Sequence, residues 1–200
     1  MRHAARTMAI HEAWAEARVA FPQGLPTPGR LTDPEGRKPG WQREAGDQGD
    51  RDLKLVDAIL ASLRAEGCVD ERRVYATGHS NGGSFTYLLW AERETTFAAF
   101  APSAAVLARG AGKLVTRPVL HLGSPDDPLV KWTWQSRLID HLLSVNGCGP
   151  RRPDAPGLVI YEPRTPAGAP VGVYIHAGGH GYPPAGPEVI AAFFRARTAP

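Results

Sequence analysis

Residues 75–83, Tyr75-Ala76-Thr77-Gly78-His79-Ser80-Asn81-Gly82-Gly83, decide how this chain reads. Arg73–Ala76 has the β-branched and aromatic character of a strand and runs straight into Thr77-Gly78. Residues 81–93 follow with Phe85, Leu88, Leu89 and Trp90, the apolar stripe of a helix. Ser80 therefore stands in G-x-S-x-G between a predicted strand and a predicted helix, the setting of a nucleophile elbow. Such a turn strains the serine backbone, and the glycines two before and two after are expected to make room for it. The helix N-terminus would then offer free N–H groups to an anion formed at the serine. With seven serines and 22 glycines, the pattern arises by chance in roughly 8% of such chains. The strand-turn-helix context lowers that several-fold.

Working outward, the helix that starts the chain is expected over 3–17 and a short strand over Arg18–Phe21. Residues 22–50 are rich in proline and glycine and read as a long loop, of the kind that is functional when it sits in a compact domain. Trp41 inside it is more than a linker needs. Asp50 is a predicted N-cap for a helix over 51–65, with Leu53, Val56, Leu60 and Leu63 inward and Gly67 as its stop. Strands are predicted over 97–102, 117–122, Leu158–Tyr161 and Val171–Ile175, and helices over 132–145 and Pro187–Arg197. Alternating strands and helices of these lengths mean βαβ units, a parallel sheet and the α/β class, in one domain over 1–200.

Composition narrows the function classes. Of 200 residues, 42% are hydrophobic and 22% charged, the balance of a globular domain. The net charge of +3 comes mostly from arginines scattered along the chain, adjacent to one another only at Arg72-Arg73 and Arg151-Arg152. No basic stripe results, so nucleic acid is not an expected partner. The longest apolar stretch, 97–108, is too short to span a membrane, so no membrane partner is expected either. Cys68 and Cys148 lack CxxC spacing and cannot make a disulfide framework. Met1–Ala17 has no apolar signal region, which reads as cytoplasmic if the chain is complete.

A serine hydroxyl is a weak nucleophile without a base, so the motif requires a histidine and an orienting carboxylate. On sheets of this kind their order along the chain is serine, acid, histidine. After Ser80, the acids at a predicted strand end are Asp126 and Asp127, and spacing alone does not choose between them. His141 lies in a predicted helix, whereas His176 ends a strand and His180 follows through Ala177-Gly178-Gly179. Those glycines let a loop fold back over the elbow, which makes His180 the expected base. As an i, i+4 metal pair, His176 and His180 are disfavoured, because Gly178-Gly179 breaks the helix such spacing needs. His79 is expected to point away from Ser80, and His3, His11 and His121 to be ordinary helix or strand residues.

The motifs QGLPTP (23–28), TDPEG (32–36), PGWQ (39–42), RDL (51–53), RVYATGHSNGG (73–83), DPLVKW (127–132), NGCG (146–149) and HAGGHGYP (176–183) stand in this order along nearly the whole chain. In them the chain resembles the poly(3-hydroxybutyrate) depolymerase-like esterases, related to feruloyl and acetylxylan esterases. The resemblance implies an α/β-hydrolase fold, a mostly parallel sheet flanked by helices, and a serine esterase that needs no metal or organic cofactor. It implies Ser80 as nucleophile, His180 as general base and, through DPLVKW, Asp127 as the acid. The Asn81 N–H would be one oxyanion-hole donor, and Trp41 and Trp132 candidate walls of the substrate pocket. The implied substrate is a hydroxyalkanoate polyester or a plant-polysaccharide ester, and the implied location is extracellular or periplasmic. Acyl transfer to an alcohol would use the same residues. Relatives open with a strand and an HGxGG-like loop that carries a second oxyanion donor, whereas MRHAARTMAIHEAW looks like the helix just after it. The chain is thus expected to lack the N-terminal strands, which leaves an impaired enzyme or a substrate-binding remnant as the alternative. Relatives also imply a disulfide from Cys148 to a later cysteine, and no cysteine follows it here.

Overall fold

The computed structural model describes residues 2–29, 31–107 and 109–199. Its centre is a five-stranded sheet of β3 (Tyr75–His79), β4 (Ala99–Ser103), β5 (Val119–Gly123), β7 (Val171–Ile175) and β6 (Gly157–Tyr161), in that spatial order. The first four run parallel, and β6 pairs antiparallel at one edge. A further two-stranded ribbon joins β1 (Leu25–Pro26) to β2 (Pro39–Gly40) inside the long loop.

Side-chain alternation along the strands sends residues to both faces, and helices cover both. On one face α3 (Arg51–Ala65), α4 (Asn81–Glu92) and α5 (Trp132–Val145) bury Leu53, Phe85, Trp90, Ile139 and Leu142 against Phe100, Val119, Val171 and Val173. On the other, α2 (Ile10–Ala13) and α6 (Gly186–Arg195) pack Ile10, Ile190, Phe193 and Phe194 on Ala99, Ala101, Leu120 and Leu122. The predicted α/β class, and a mostly parallel sheet with helices on both sides, are what the structure has.

Two expected elements differ. The helix over 3–17 is two short ones, α1 (Arg2–Met8) and α2, broken where Ala9 takes φ 40°. The strand expected at Arg18–Phe21 does not form: 18–24 carry no strand, and no backbone hydrogen bond joins them to the sheet. Local apolar character gives a segment the capacity to pair, but pairing needs a neighbouring edge at the right distance. Among the described residues, the edge of β3 that faces away from β4 is paired with no strand.

The 22–50 loop is pinned at its end. The Gln42 side chain, 1% exposed, accepts from the backbone N–H of Asp52 and Leu53 and donates to Asp50 and to the Glu44 carbonyl. Asp52 accepts the Gln42 N–H in return at 2.6 Å. Gln42 thus satisfies the first turn of α3 in place of Asp50, the expected cap. Asp50 holds the N-cap position with φ 58°, and its carboxylate turns back to the Gly46 N–H at 2.7 Å. That bond, with the Gln42 amide, lowers the Asp50 pKa.

Candidate active site

β3 and β4 end side by side, and the turn after β3 presents Ser80 at φ 56°, ψ −116°, a region L-residues rarely occupy. It is held there by Ser80 N–H donating to the Ser103 carbonyl at 2.9 Å and Ser84 N–H donating to the Ser80 carbonyl at 2.9 Å. A Cβ on Gly78 would sit 2.3 Å from the Gly82 carbonyl oxygen, and one on Gly83 would sit 2.6 Å from the Ser103 carbonyl oxygen. A Cβ on Gly82 would meet only the Trp41 ring at 3.7 Å, an ordinary contact. The room expected from the glycines on either side of Ser80 is therefore needed at Gly78 and Gly83, and Gly82 has space.

Three side chains from three loops converge on this turn. His180 Nε2 lies 2.8 Å from Ser80 Oγ, and His180 Nδ1 lies 2.9 Å from Asp127 Oδ2 and 3.1 Å from Oδ1. Asp127 follows β5 and is fully buried at its side chain. Its Oδ1 accepts the N–H groups of Leu129 at 2.8 Å and Val130 at 2.9 Å. A carboxylate only accepts, so the ring proton of His180 sits on Nδ1 and leaves Nε2 free to accept from Ser80. Asp126, the alternative acid, has its backbone N–H on Ser124 Oγ.

Sequence reading missed a buried relay behind Asp127. The Tyr87 hydroxyl is 2.7 Å from His121 Nδ1, and His121 Nε2 is 2.9 Å from Gln135 Oε1. Gln135 Nε2 donates to the Val130 carbonyl at 2.7 Å and reaches Asp127 Oδ2 at 3.5 Å. Burial pushes the His121 pKa down to about 4 and the Tyr87 pKa well up, so the neutral imidazole and the intact phenol fix the direction of every bond. Tyr87 donates, Gln135 accepts, and the amide N–H₂ is left facing the segment that carries Asp127. A glutamine fifty-five residues beyond the serine gives no signal in sequence.

His79, expected to point away from Ser80, stands beside His180. Its ring lies 5.3 Å from that of His180 and edge-on to Tyr182 at 5.7 Å, with Nδ1 3.1 Å from Ser103 Oγ. Burial, then the nearby His180, lowers its pKa to about 4, so it flanks His180 as an uncharged wall. His176 stays apart, accepting the Gly178 N–H at 3.0 Å through Nδ1. His141 contacts the Ala111 carbonyl from within α5. No cluster of three metal-ligating side chains occurs among the described residues.

The predicted aromatic residues separate. Trp41 stacks on Phe85 at 5.1 Å, and its backbone exchanges two hydrogen bonds with the Asn81 side chain, at 2.6 and 3.1 Å. The Asn81 backbone N–H is at the first position of α4, among the amides a helix leaves without an internal acceptor. Trp132 starts α5 and donates its indole N–H to Asp154 at 2.8 Å, beneath the Arg151 guanidinium. A cavity of about 1050 Å³ opens beside Ser80 and is lined by Trp41 but not by Trp132. Cys68 and Cys148 are both free thiols, the first exposed and the second buried.

Comparison with known proteins agrees with this architecture. Residues 39–119 match the prolyl oligopeptidase family model. A protein of Aspergillus flavus named "Probable feruloyl esterase C" is 28% identical over 179 residues, 83% of this chain and 64% of that protein. Feruloyl esterase C of Emericella nidulans is 28% identical over 175 residues, 82% of this chain and 63% of that protein. The chain thus spans somewhat under two thirds of the length of these curated relatives. Among solved structures, the Bacillus cereus carboxylesterase superposes with a TM-score of 0.66 at 17% identity, covering 96% of this chain and 81% of that one. Arabidopsis thaliana SOBER1 gives 0.62 at 15% identity, covering 98% and 91%. In sheet order and helix placement this chain has the α/β-hydrolase fold of these solved structures, and in sequence it is similar to the feruloyl esterases.

Proposed function

We propose that the chain is a serine carboxylic-ester hydrolase that works through an acyl-enzyme. The observation that carries the reading is the continuous hydrogen-bonded line from Ser80 Oγ through His180 to the buried Asp127 carboxylate. In the proposed reaction His180 Nε2 takes the Ser80 proton as Oγ adds to the ester carbonyl carbon. The tetrahedral oxyanion forms near the first turn of α4, where the Asn81 N–H can donate to it. Collapse of the intermediate releases the alcohol, protonated by His180. Water, deprotonated by the same nitrogen, then cleaves the acyl-enzyme to the acid. Asp127 holds the imidazole tautomer and balances its charge when protonated. None of these steps calls on a metal or an organic cofactor.

The proposed substrate class is an ester of a hydroxyalkanoate polymer or of a plant polysaccharide, following the sequence resemblance and the names of the curated relatives. Trp41 is the aromatic residue placed to meet an acyl or alcohol group beside Ser80, and the Trp132 indole, bonded to Asp154, is not. A fluorophosphonate probe tests the nucleophile without presuming the substrate. The expected result is a single modified peptide containing Ser80, lost in His180→Ala. Folded protein that stays unlabelled would overturn the enzymatic reading and leave a substrate-binding role for the same cleft.

A further inference from the structure

His79 closes β3 opposite Ser103, the last residue of β4, and its Nδ1 lies 3.1 Å from the Ser103 hydroxyl. Ser103 is fully buried, and its backbone carbonyl is the group that accepts the Ser80 N–H at 2.9 Å. The same imidazole reaches the loop that carries His180. The two rings are tilted by 46° at 5.3 Å, and Tyr182 stands edge-on to His79 at 5.7 Å. His79 also hydrogen-bonds the His180 backbone. One side chain thus touches the strand end that holds the nucleophile and the loop that holds the base.

The direction of these bonds follows from the neutral ring. Burial lowers the His79 pKa to about 4, so the imidazole carries a single N–H. The bond to the His180 backbone acts the other way and raises that pKa, which is the effect of a carbonyl oxygen accepting the ring proton. The N–H therefore faces His180 from Nε2, and Nδ1 accepts from the Ser103 hydroxyl. The His180 loop has need of such a tie. It runs over Gly178 and Gly179, the latter at φ 57°. Its bonds from Gly178 N–H to His176 Nδ1 and from Gly181 N–H to the Gly178 carbonyl stay within it. Asp127 holds His180 Nδ1 and so fixes how the ring turns, but a backbone pivot that shifts carries the ring with it. A reacting group displaced by about 1 Å loses on the order of a hundredfold in rate.

We propose that His79 is a positioning residue that clamps His180 to the serine turn, with Ser103 as the common anchor. The Ser103 carbonyl fixes Ser80, and its hydroxyl, through His79, fixes the backbone of His180. The 2.8 Å between Ser80 Oγ and His180 Nε2 is then set from both sides by one residue of β4. His79 takes no proton in the reaction; it decides where the base that takes it stands. The inference rests on the proposed reaction for its effect on turnover, and on the structure alone for its effect on the His180 ring.

His79→Phe separates a clamp from a wall, since it keeps an aromatic ring against Tyr182 and removes both polar bonds. Hydrolysis of p-nitrophenyl acetate should fall about ten- to a hundredfold in kcat with little change in KM. His79→Gln, whose amide can donate from the position of Nε2, should recover most of that loss. Unchanged turnover in His79→Phe, or a loss that His79→Gln does not reduce, would overturn the proposal. A second readout needs no substrate. The proton on His180 Nδ1, bonded to Asp127, gives a downfield line in proton NMR, assigned by its loss in His180→Ala. The line should be sharp in wild type and His79→Gln and broadened by exchange with water in His79→Phe. A sharp line in His79→Phe, or none in folded wild type, would sink the clamp. If His79→Phe fails to fold, Ser103→Ala, which keeps the carbonyl and removes only the hydroxyl, should move both readouts in the same direction. Wild type that shows the sharp line yet neither hydrolyses the ester nor takes the fluorophosphonate would count against the reaction and leave the clamp standing.

Discussion

Ser80 pays for its position in backbone strain, and that strain can be measured apart from chemistry. Its φ of 56° is a conformation glycine adopts freely and L-residues do not. Ser80→Gly should therefore raise stability by about 1 kcal/mol in urea titration, while fluorophosphonate labelling disappears. Ser80→Ala keeps the strain and should leave the unfolding midpoint nearly unchanged. The flanking glycines divide in the same way. Gly83→Ala drives a Cβ into the Ser103 carbonyl and should cost about 2 kcal/mol or more, whereas Gly82→Ala, with open space, should cost under about 1. Gln135→Leu is expected to lower ester turnover about tenfold with little change in KM, because it loosens the segment that fixes Asp127 and touches nothing beside Ser80 Oγ. Gln135→Glu could not donate to the Val130 carbonyl in its charged form and should not rescue it.

At the scale of elements, the long loop is held by polar side chains and not by regular structure. The Gln42 side chain is buried and answers four partners at once, so Gln42→Ala would leave the first amides of α3, the Glu44 carbonyl and the Asp50 carboxylate short of bonds. The expected loss is about 2–3 kcal/mol, read as a shift in thermal midpoint. Elements with strong local patterns were legible in sequence: α3 and α5 begin and end where their apolar spacing and flanking residues put them. The serine turn was legible because G-x-S-x-G between strand and helix is a local pattern with one steric explanation. Three things were not. β3 continues through Thr77-Gly78-His79, which reads as a turn, because its pairing with Ala101–Ser103 is long-range information. Arg18–Phe21 looks like a strand yet pairs with none, because a cavity that it lines together with β3 separates it from the free edge of that strand. The Tyr87–His121–Gln135 relay links three elements through single contacts that no spacing rule encodes.

For the molecule as a whole, two inner histidines set the acid limit. Burial holds His79 and His121 near about 4, below the ordinary value of 6.5. Between about pH 6.5 and 4 the unfolded chain binds protons that the folded chain refuses, so folding stability is full above 6.5 and declines as pH falls through that window. Each histidine should contribute a slope on the order of 1 kcal/mol per pH unit. Urea midpoints at pH 7 and pH 5 should show the decline, and His121→Asn should remove about half of it. A pH-independent midpoint would mean that neither ring is held neutral by the fold.

The two thiols give the molecule an internal record of its own integrity. Cys68 is exposed and lines the cavity that Ser80 also lines, whereas Cys148 is enclosed with its sulfur against the Tyr161 and Ala169 carbonyls, and burial raises its pKa. A thiol reagent should count one cysteine within minutes on native protein and the second only at the rate of opening around Cys148. A maleimide dye would therefore settle on one site without mutagenesis, placing a reporter on the cavity that Ser80 also lines and leaving the serine free for a second label.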